Sequence, residues 1–170
     1  MSSGSLSTPY FFRKLRSRIF TLCFLINGSD TLGIRDQINL HMMKVLFLGD
    51  NSHKNKFVHF INTPSEISLF LDKNSMDRFT HDLSPTVREV MNADPSCFRA
   101  AEIFSLENDL HSPGVTSLVS GKLAAKGISC ICCNSFNSSF ILIPDNYFSA
   151  ACAIFKAIAD PSGDEEDVDE

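Results

Sequence analysis

Residues 109–144, DLHSPGVTSLVSGKLAAKGISCICCNSFNSSFILIP, decide the fold. Their order predicts a loop, a helix, a strand, a turn and a second strand. We expect Ser112 to cap the helix, because its hydroxyl can accept a hydrogen bond from the first-turn amides, and Pro113 suits the first helical position. Lys126 and Gly127 suit the end of the helix, where positive charge and a left-handed residue are favoured. The predicted apolar face comprises Val115, Leu118, Val119 and Leu123.

Two strands and a second helix follow. Residues 128–133 are apolar and partly β-branched, and residues 134–138 have the composition of a turn. Residues 140–143 are apolar without alternation, which predicts a strand covered on both faces. Pro144 and Asp145 then close the strand and cap a helix that reaches residue 159. The apolar face of that helix comprises Phe148, Ala151, Cys152, Phe155 and Ile158.

The preceding part of the chain begins with the same kind of unit. Its predicted elements are a strand at 19–26, a helix at 31–48, strands at 56–62 and 66–71, and a helix at 73–79. A short helix at 84–91 and the strand 97–104, the first of the second unit, follow. In the last of these helices, Ser84 is the expected cap and Pro85 the expected first residue. The order strand, helix, strand, strand, helix therefore occurs twice. It predicts an α+β fold of two tandem ferredoxin-like units, with antiparallel sheets and helices packed on one face.

These patterns suggest a division of the chain. We predict a disordered basic leader at 1–17, a first unit at 18–82, a linker at 83–93, a second unit at 94–159 and a disordered acidic tail at 160–170. Seven of the 20 acidic residues lie in that tail, so the body of the chain is nearly balanced in charge. The sequence contains no basic patch interleaved with aromatic residues, which is the pattern that would indicate nucleic-acid binding. The acid-free leader also fits a mitochondrial presequence, which is the alternative to a cytoplasmic location.

The six cysteines predict buried structural thiols in a reducing compartment, hence the cytoplasm. No C-x-x-C spacing occurs, and Cys132 and Cys133 would point to opposite faces of one strand. We therefore predict neither a metal site nor a cofactor. The longest apolar run, residues 19–26, has eight residues, whereas a membrane-spanning helix needs roughly 20. We therefore expect no association with a membrane.

The stretch SPGVTSLVSGKLAAKGISCICCNSFNSSFILIP resembles the ACT domain, a small regulatory module that binds amino acids. The resemblance lies in a Pro-Gly-Val helix start, a Gly-Ile-Ser helix exit and a strand that ends in an apolar run. Together with KVLFLGDNSHKNKFVHFINTPSEISLFLDKNSMDRF at 44–79, the chain resembles the amino-terminal half of the CASTOR family over roughly 18–159. That family comprises cytosolic arginine sensors that act on the TOR pathway through the GATOR complex.

The resemblance implies a non-catalytic module with an amino-acid ligand and a site at the second unit. Ser129 and Cys130 stand where the family contacts arginine, and the loop from His111 through Ser112 and Gly114 to Val115 is the general ACT ligand edge. Free amides at that helix start suit a carboxylate. The family's partner-binding turn corresponds to residues 136–139 here. Its implied contacts are Phe136, Asn137 and Ser139.

Two departures from the family keep an alternative open. The turn lacks the family's tyrosine hydroxyl and carboxylate, and the second half of the sensor is absent from the sequence. Recognition of a guanidinium normally needs a carboxylate, and Glu107 and Asp109 are the nearest candidates in the sequence. The chain could therefore be a ligand-free interaction protein of the same fold. In either case we expect a homodimer, or a heterodimer with a related ACT protein, and a GATOR-type complex as a candidate partner.

An enzyme is the third interpretation, and the sequence argues against it. None of the common nucleophile, metalloprotease or phosphate-binding motifs occurs. Cys132 and His111 are an imaginable nucleophile and base. Because Cys132 lies inside an apolar run, we expect it to be an inert thiol.

Overall fold

The computed structural model of the protein describes residues 10–25, 33–48, 56–105, 114–135 and 138–159. Six strands lie at β1 Tyr10–Leu25, β2 Val58–Asn62, β3 Glu66–Asp72, β4 Met91–Ser105, β5 Ile131–Asn134 and β6 Ser139–Pro144. Five α-helices lie at α1 Ile34–Phe47, α2 Lys73–His81, α3 Pro85–Glu89, α4 Val115–Ala125 and α5 Phe148–Ala159, the last preceded by a 3-10 turn at Asp145–Tyr147. None of these helices is both long enough and apolar enough to cross a membrane.

The residues group into two compact units, and the grouping is not sequential. Among the described residues, unit I lies within Arg16–Arg99, and unit II combines those within Met1–Leu15 with those within Ala100–Glu170. Strands β1 and β4 therefore each contribute residues to both units. The predicted linker at 83–93 contains helix α3 and the start of β4. The predicted domain boundaries stay a prediction, which limited proteolysis with mass analysis would test; the predicted tail lies outside the described residues.

Unit I has the strand order β2-β3-β1-β4, with β1 and β2 both antiparallel to β3. Thr21 lies opposite Phe70, and Val58 opposite Leu71. In the helix predicted at 31–48, the spacing of Ile34, Ile38, Met42 and Val45 places them close to one face. Helix α1 packs on the core through Ile38, Met42 and Val45, with Ile34 at the margin of the cluster, which agrees with this spacing. Helix α3 is capped by Ser84 with Pro85 in its first turn, which confirms the prediction for that segment.

Unit II has the strand order β1-β4-β6-β5. Ile141, Leu142 and Ile143 are all buried, which confirms the prediction that this strand is covered on both faces. Helices α4 and α5 cover one core cluster. Its buried members are Ala101, Ile103, Val115, Val119, Leu123, Ile128, Ile141, Ile143, Phe148, Ala151, Cys152 and Phe155. The predicted strand at 128–133 begins only at Ile131, because residue 128 still completes the end of α4.

The predicted leader is wrong from residue 10 onward, because β1 begins at Tyr10 rather than at residue 19. Within unit II, the Phe12 ring stacks on Phe155 with 4.8 Å between ring centroids. Arg13 forms an ion pair with Glu102. This basic segment is therefore a strand. Phe12 packs on the core, and the charge of the neighbouring Arg13 is paired with the carboxylate of Glu102. Residues 1–9 of the predicted leader lie outside the described residues.

Candidate functional site

The start of helix α4 forms the first wall of the candidate site in unit II. Gly114 occupies the N-cap position with φ +102°, and its carbonyl accepts the first helical hydrogen bond, from the Leu118 amide at 2.7 Å. Glycine has no side chain with which to cap the helix, so it supplies no acceptor for the first-turn amides. A helix start of this kind attracts an anion through its free N–H groups and the positive end of the helix dipole. The carboxylate of a free amino acid has the matching charge.

The predicted cap of this helix is wrong. Ser112 was expected at the N-cap and Pro113 at the first helical position, but the helix begins at Val115 with Gly114 as its cap. The left-handed conformation of Gly114 turns the chain into the helix without a side-chain cap. Leu118 is also 37% exposed, so the buried face is narrower than predicted. His111, Ser112 and Pro113 themselves lie outside the described residues.

The conformation of Gly114 yields a prediction about helix α4. At φ +102° any other L-residue is strained, although a Cβ would meet no atom within 4 Å. Gly114→Ala is therefore expected to lower the free energy of unfolding by about 1 kcal/mol. Gly121→Ala, inside the same helix and equally unobstructed, is the matched control and should raise it by up to about 1 kcal/mol. Equal effects of both changes in urea denaturation would contradict this account.

The end of helix α4 leads to the second wall of the site. The Ile128 amide donates to Leu123 and the Gly127 amide to Ala124, which is the Schellman arrangement, and Gly127 has φ +68°. This confirms the predicted helix exit at Gly127. Ile128 is thereby buried, while the next residue, Ser129, is exposed. Cys130 then packs against the same core cluster that contains Val115.

Two residues of the predicted ligand edge belong to the same large core. Val115 is a buried member of the core cluster, Cys130 is partly buried and packs against that cluster, and Gly114 lies directly before Val115. Ser129 presents its hydroxyl to solvent beside Cys130 rather than to the core. This arrangement offers backbone N–H donors, a hydroxyl and a thiol wall.

The thiols beside the site have different environments. Cys132 is exposed, which corrects the expectation of a buried thiol, whereas Cys133 is buried. Burial, and then the neighbouring Cys132, raise the pKa of Cys133 to about 11. Burial also raises the pKa of Cys130, with further contributions from the charge and the hydrogen bond of Cys132. Among the described residues, no three His, Cys, Asp or Glu side chains lie close enough together to hold a metal ion.

These environments predict ordered reactivity. Cys132 should react with iodoacetamide before Cys133, because only about one Cys133 thiol in a thousand is ionised at pH 8 when its pKa is about 11. The Cys133 rate should rise about tenfold per pH unit up to pH 11. Its contribution to stability is complete below its usual pKa of 9.0 and is lost as the pH rises toward 11, because the unfolded thiol ionises first. Peptide mapping checks this order, and Cys132→Ser should remove the fast phase; a fast phase that remains would contradict it.

One buried carboxylate beside the predicted partner-binding turn is not among the residues named from the sequence. Glu102 on β4 is only 6% exposed. Its Oε2 atom accepts from Arg13 Nε at 2.7 Å, and its Oε1 atom accepts from the Ser138 hydroxyl at 2.8 Å. The sequence feature that could have identified this residue is a single acid inside the apolar run AAEIF at 100–104, where a charge must be paired if it is buried. The candidates named from the sequence, Glu107 and Asp109, lie outside the described residues.

The hairpin turn between β5 and β6 is closed by two serines. The Ser135 amide donates to the Ser138 carbonyl at 2.8 Å, and the Ser138 amide donates to the Ser135 hydroxyl at 3.1 Å. Ser139 follows as the first residue of β6, opposite Asn134. Phe136 and Asn137 lie outside the described residues. Because Ser138 also donates to Glu102, a buried carboxylate anchors the base of the predicted partner-binding turn.

Unit I contains a separate surface groove of about 650 Å³ between α1 and α2. Its lining combines Lys44, Val45, Leu48, Asp77, Arg78, His81 and Asp82. His81 and Asp82 form a 2.6 Å pair, and Asp77 pairs with Lys73 at 2.6 Å. The charges of both signs are thus partly satisfied within the groove. No sequence motif pointed to it.

The sequence matches no protein-family model, and no curated protein matches it. Solved structures match in fold. The ligand-free regulatory subunit of aspartate kinase from Thermus thermophilus has a TM-score of 0.61 at 15% identity, covering 88% of this chain and 95% of that one. The subunit from Thermus flavus has a TM-score of 0.60 at 14% identity, covering 89% and 97%. E. coli aspartokinase III, solved with aspartate and ADP, has a TM-score of 0.53 at 14% identity, covering 85% of this chain and 32% of that one.

At these identities the likeness shows the fold. The chain has an α+β architecture of ACT-like, ferredoxin-type units with antiparallel sheets and helices, as the sequence predicts.

Proposed function

We propose that this chain is a non-catalytic regulatory module that binds a free amino acid, with arginine as the first candidate, in a CASTOR-like nutrient-sensing role. One observation carries the proposal. Val115 at the start of helix α4 and Ile128 after its exit belong to one core cluster, against which Cys130 packs, and Gly114 at the N-cap leaves the first-turn amides without a side-chain cap. The fold is shared with regulatory subunits of aspartate kinase, and one structural neighbour was solved with aspartate.

In this proposal the ligand carboxylate lies at the α4 N-terminus, where backbone N–H groups and the helix dipole favour negative charge. His111 and Ser112 contribute from the loop that precedes Gly114. Ser129 accepts from the ligand's ammonium group or guanidinium through its exposed hydroxyl. Cys130 lines the wall as a neutral thiol, because burial and Cys132 raise its pKa.

A guanidinium side chain would also need an acid. Glu102 is buried and its two oxygens already accept from Arg13 and Ser138, so it serves the fold rather than a ligand. The proposal therefore assigns the guanidinium to Glu107 or Asp109 on the loop before α4, as the sequence suggests. Glu107→Gln and Asp109→Asn would then weaken arginine binding more than alanine binding.

The pairing of Glu102 with Arg13 supports a second candidate function. Glu102, whose carboxylate contacts the hairpin through Ser138, is already paired with the guanidinium of Arg13. The chain itself therefore supplies the positive charge that an arginine ligand would otherwise bring to this carboxylate. In that case the chain is an interaction protein that dimerises with itself or with a related ACT protein. Residues Phe136, Asn137 and Ser139 of the turn would then contact a larger, GATOR-type complex. We place either protein in the cytoplasm, since all six cysteines are free.

Thermal unfolding of the full chain with each free amino acid tests the proposal. A ligand at 100 times its dissociation constant adds about 2.7 kcal/mol, which shifts the melting temperature by a few degrees. We expect a saturable shift with one amino acid, arginine first. A cooperative melt that no amino acid shifts would contradict ligand binding and favour the interaction protein.

A further inference from the structure

Helix α1 is apolar on two faces, and only one of them is used within unit I. Its buried face holds Ile38, Met42 and Val45. On the other side Leu40 is 58% exposed, Met43 54% and Phe47 67%. These three residues, with Asp36, follow a spacing of four, three and four, which is one continuous stripe along a helix. We call this stripe the α1 outer face.

Comparison with helix α4 shows that the fold does not require this apolar stripe. Both helices begin after a glycine with positive φ, Gly33 in one and Gly114 in the other. Counted from those glycines, Ile38 and Met42 correspond to the buried Val119 and Leu123, whereas the buried Val45 corresponds to the exposed Lys126. On the outer side, Leu40 and Met43 correspond to Gly121 and Ala124, and Phe47 corresponds to the buried Ile128, beyond the end of the shorter helix α4. Leu40 and Met43 therefore serve something other than packing of the unit.

We infer that the α1 outer face docks against the same face of a second copy of this chain, with the two α1 helices antiparallel across a two-fold axis. The inference rests on the dimer of the second candidate function and names its surface. The charges on helix α1 indicate that the partner is a second copy of the chain and that the two α1 helices are antiparallel. Asp36 lies in the first turn of α1 and Lys44 in the last, both are exposed, and no ion pair engages either within the described residues.

An antiparallel pair places each Asp36 near the Lys44 of the other copy, whereas a parallel pair would place like charges together. A two-fold axis between Leu40 and Met43 puts these two residues in contact across the interface. In that register Asp36 and the other copy's Lys44 are offset by about 4.5 Å along the helix, which a lysine side chain spans. The two helix dipoles are also opposed, which is favourable.

The test is the mass of the full chain by sedimentation or light scattering, measured without any amino acid. We expect a wild-type dimer and a monomer for Leu40→Lys. Leu118→Lys, an exposed leucine on α4, is the matched control and should remain dimeric. Because Leu40 is exposed, its replacement should leave the circular dichroism spectrum unchanged.

Charge reversal tests the direction of the helices. Asp36→Lys and Lys44→Asp alone should each weaken the dimer about tenfold, since two-fold symmetry counts every change twice. The double variant should restore it. A monomeric wild type, a dimeric Leu40→Lys variant or a double variant that stays weak would each overturn the inference. Because no ligand is present, these results are separate from a failure of amino-acid binding, which the thermal panel reports.

Discussion

Replacing Asp72 by alanine is expected to lower the free energy of unfolding by about 3 kcal/mol. Asp72 is 5% exposed and caps helix α2, since its Oδ1 atom accepts from the Ser75 amide at 3.1 Å. Its Oδ2 atom accepts from the Phe57 amide at 2.9 Å and from the Ser75 hydroxyl at 2.7 Å. One carboxylate thus joins the start of α2 to the residue that leads into β2. Alanine removes the cap and also removes the acceptor of a buried amide.

Urea denaturation of the full chain measures this loss. Asp77→Ala is the control on the same helix, because Asp77 is exposed and its ion pair within the described residues is with Lys73, four positions earlier. It should cost less than about 0.5 kcal/mol. If the two variants unfolded at the same urea concentration, the central role of Asp72 in unit I would be wrong.

Replacing Glu102 by alanine is expected to cost about 2 kcal/mol. Breaking a buried ion pair typically costs about 3 to 5 kcal/mol. The value is lower here because the Arg13 side chain is 67% exposed and can be solvated after its partner is lost. The Ser138 hydroxyl also loses its acceptor at the base of the hairpin turn. The change should therefore loosen both the N-terminal part of β1 and the β5–β6 turn.

A double-mutant cycle with Arg13→Ala isolates the ion pair. We expect a coupling free energy of about 1 kcal/mol between the two positions. Amide hydrogen exchange of the residues on either side of Arg13 in β1 should accelerate when Arg13 or Glu102 is replaced by alanine. Additive effects, with no coupling, would mean that Arg13 does not hold β1 in place.

The parts of the fold that follow local rules could be predicted from the sequence. The glycine exit of α4 and the Ser84 cap of α3 depend on neighbouring residues, and both are confirmed. The apolar spacing of α1 likewise located its buried face. These features require only the chemistry of one helical turn.

The remaining features depend on distant partners. Residue 13 and its neighbours form a strand whose side chains meet distant partners, with Arg13 bonded to Glu102, 89 residues away, so composition alone suggests a leader. Cys132 is exposed because successive side chains of β5 point to opposite faces of the sheet, and the covered face is the one that carries Cys133. At the candidate site, Gly114 was named from the sequence, but its role as the cap was given to Ser112. Serine and glycine are both common at the N-cap, and residue type alone does not decide which of two positions takes that role, because the choice depends on backbone conformation.

Titration calorimetry of the full chain with arginine tests the central claim most directly. We predict saturable binding by the wild type, loss of binding by Ser129→Trp, and unchanged binding by Leu118→Trp, an exposed control on α4. The bulky indole would fill the space beside Cys130 without entering the core. Absence of saturable heat with arginine and with every amino acid of the thermal panel, from a folded wild-type protein, would contradict the claim that this chain senses an amino acid.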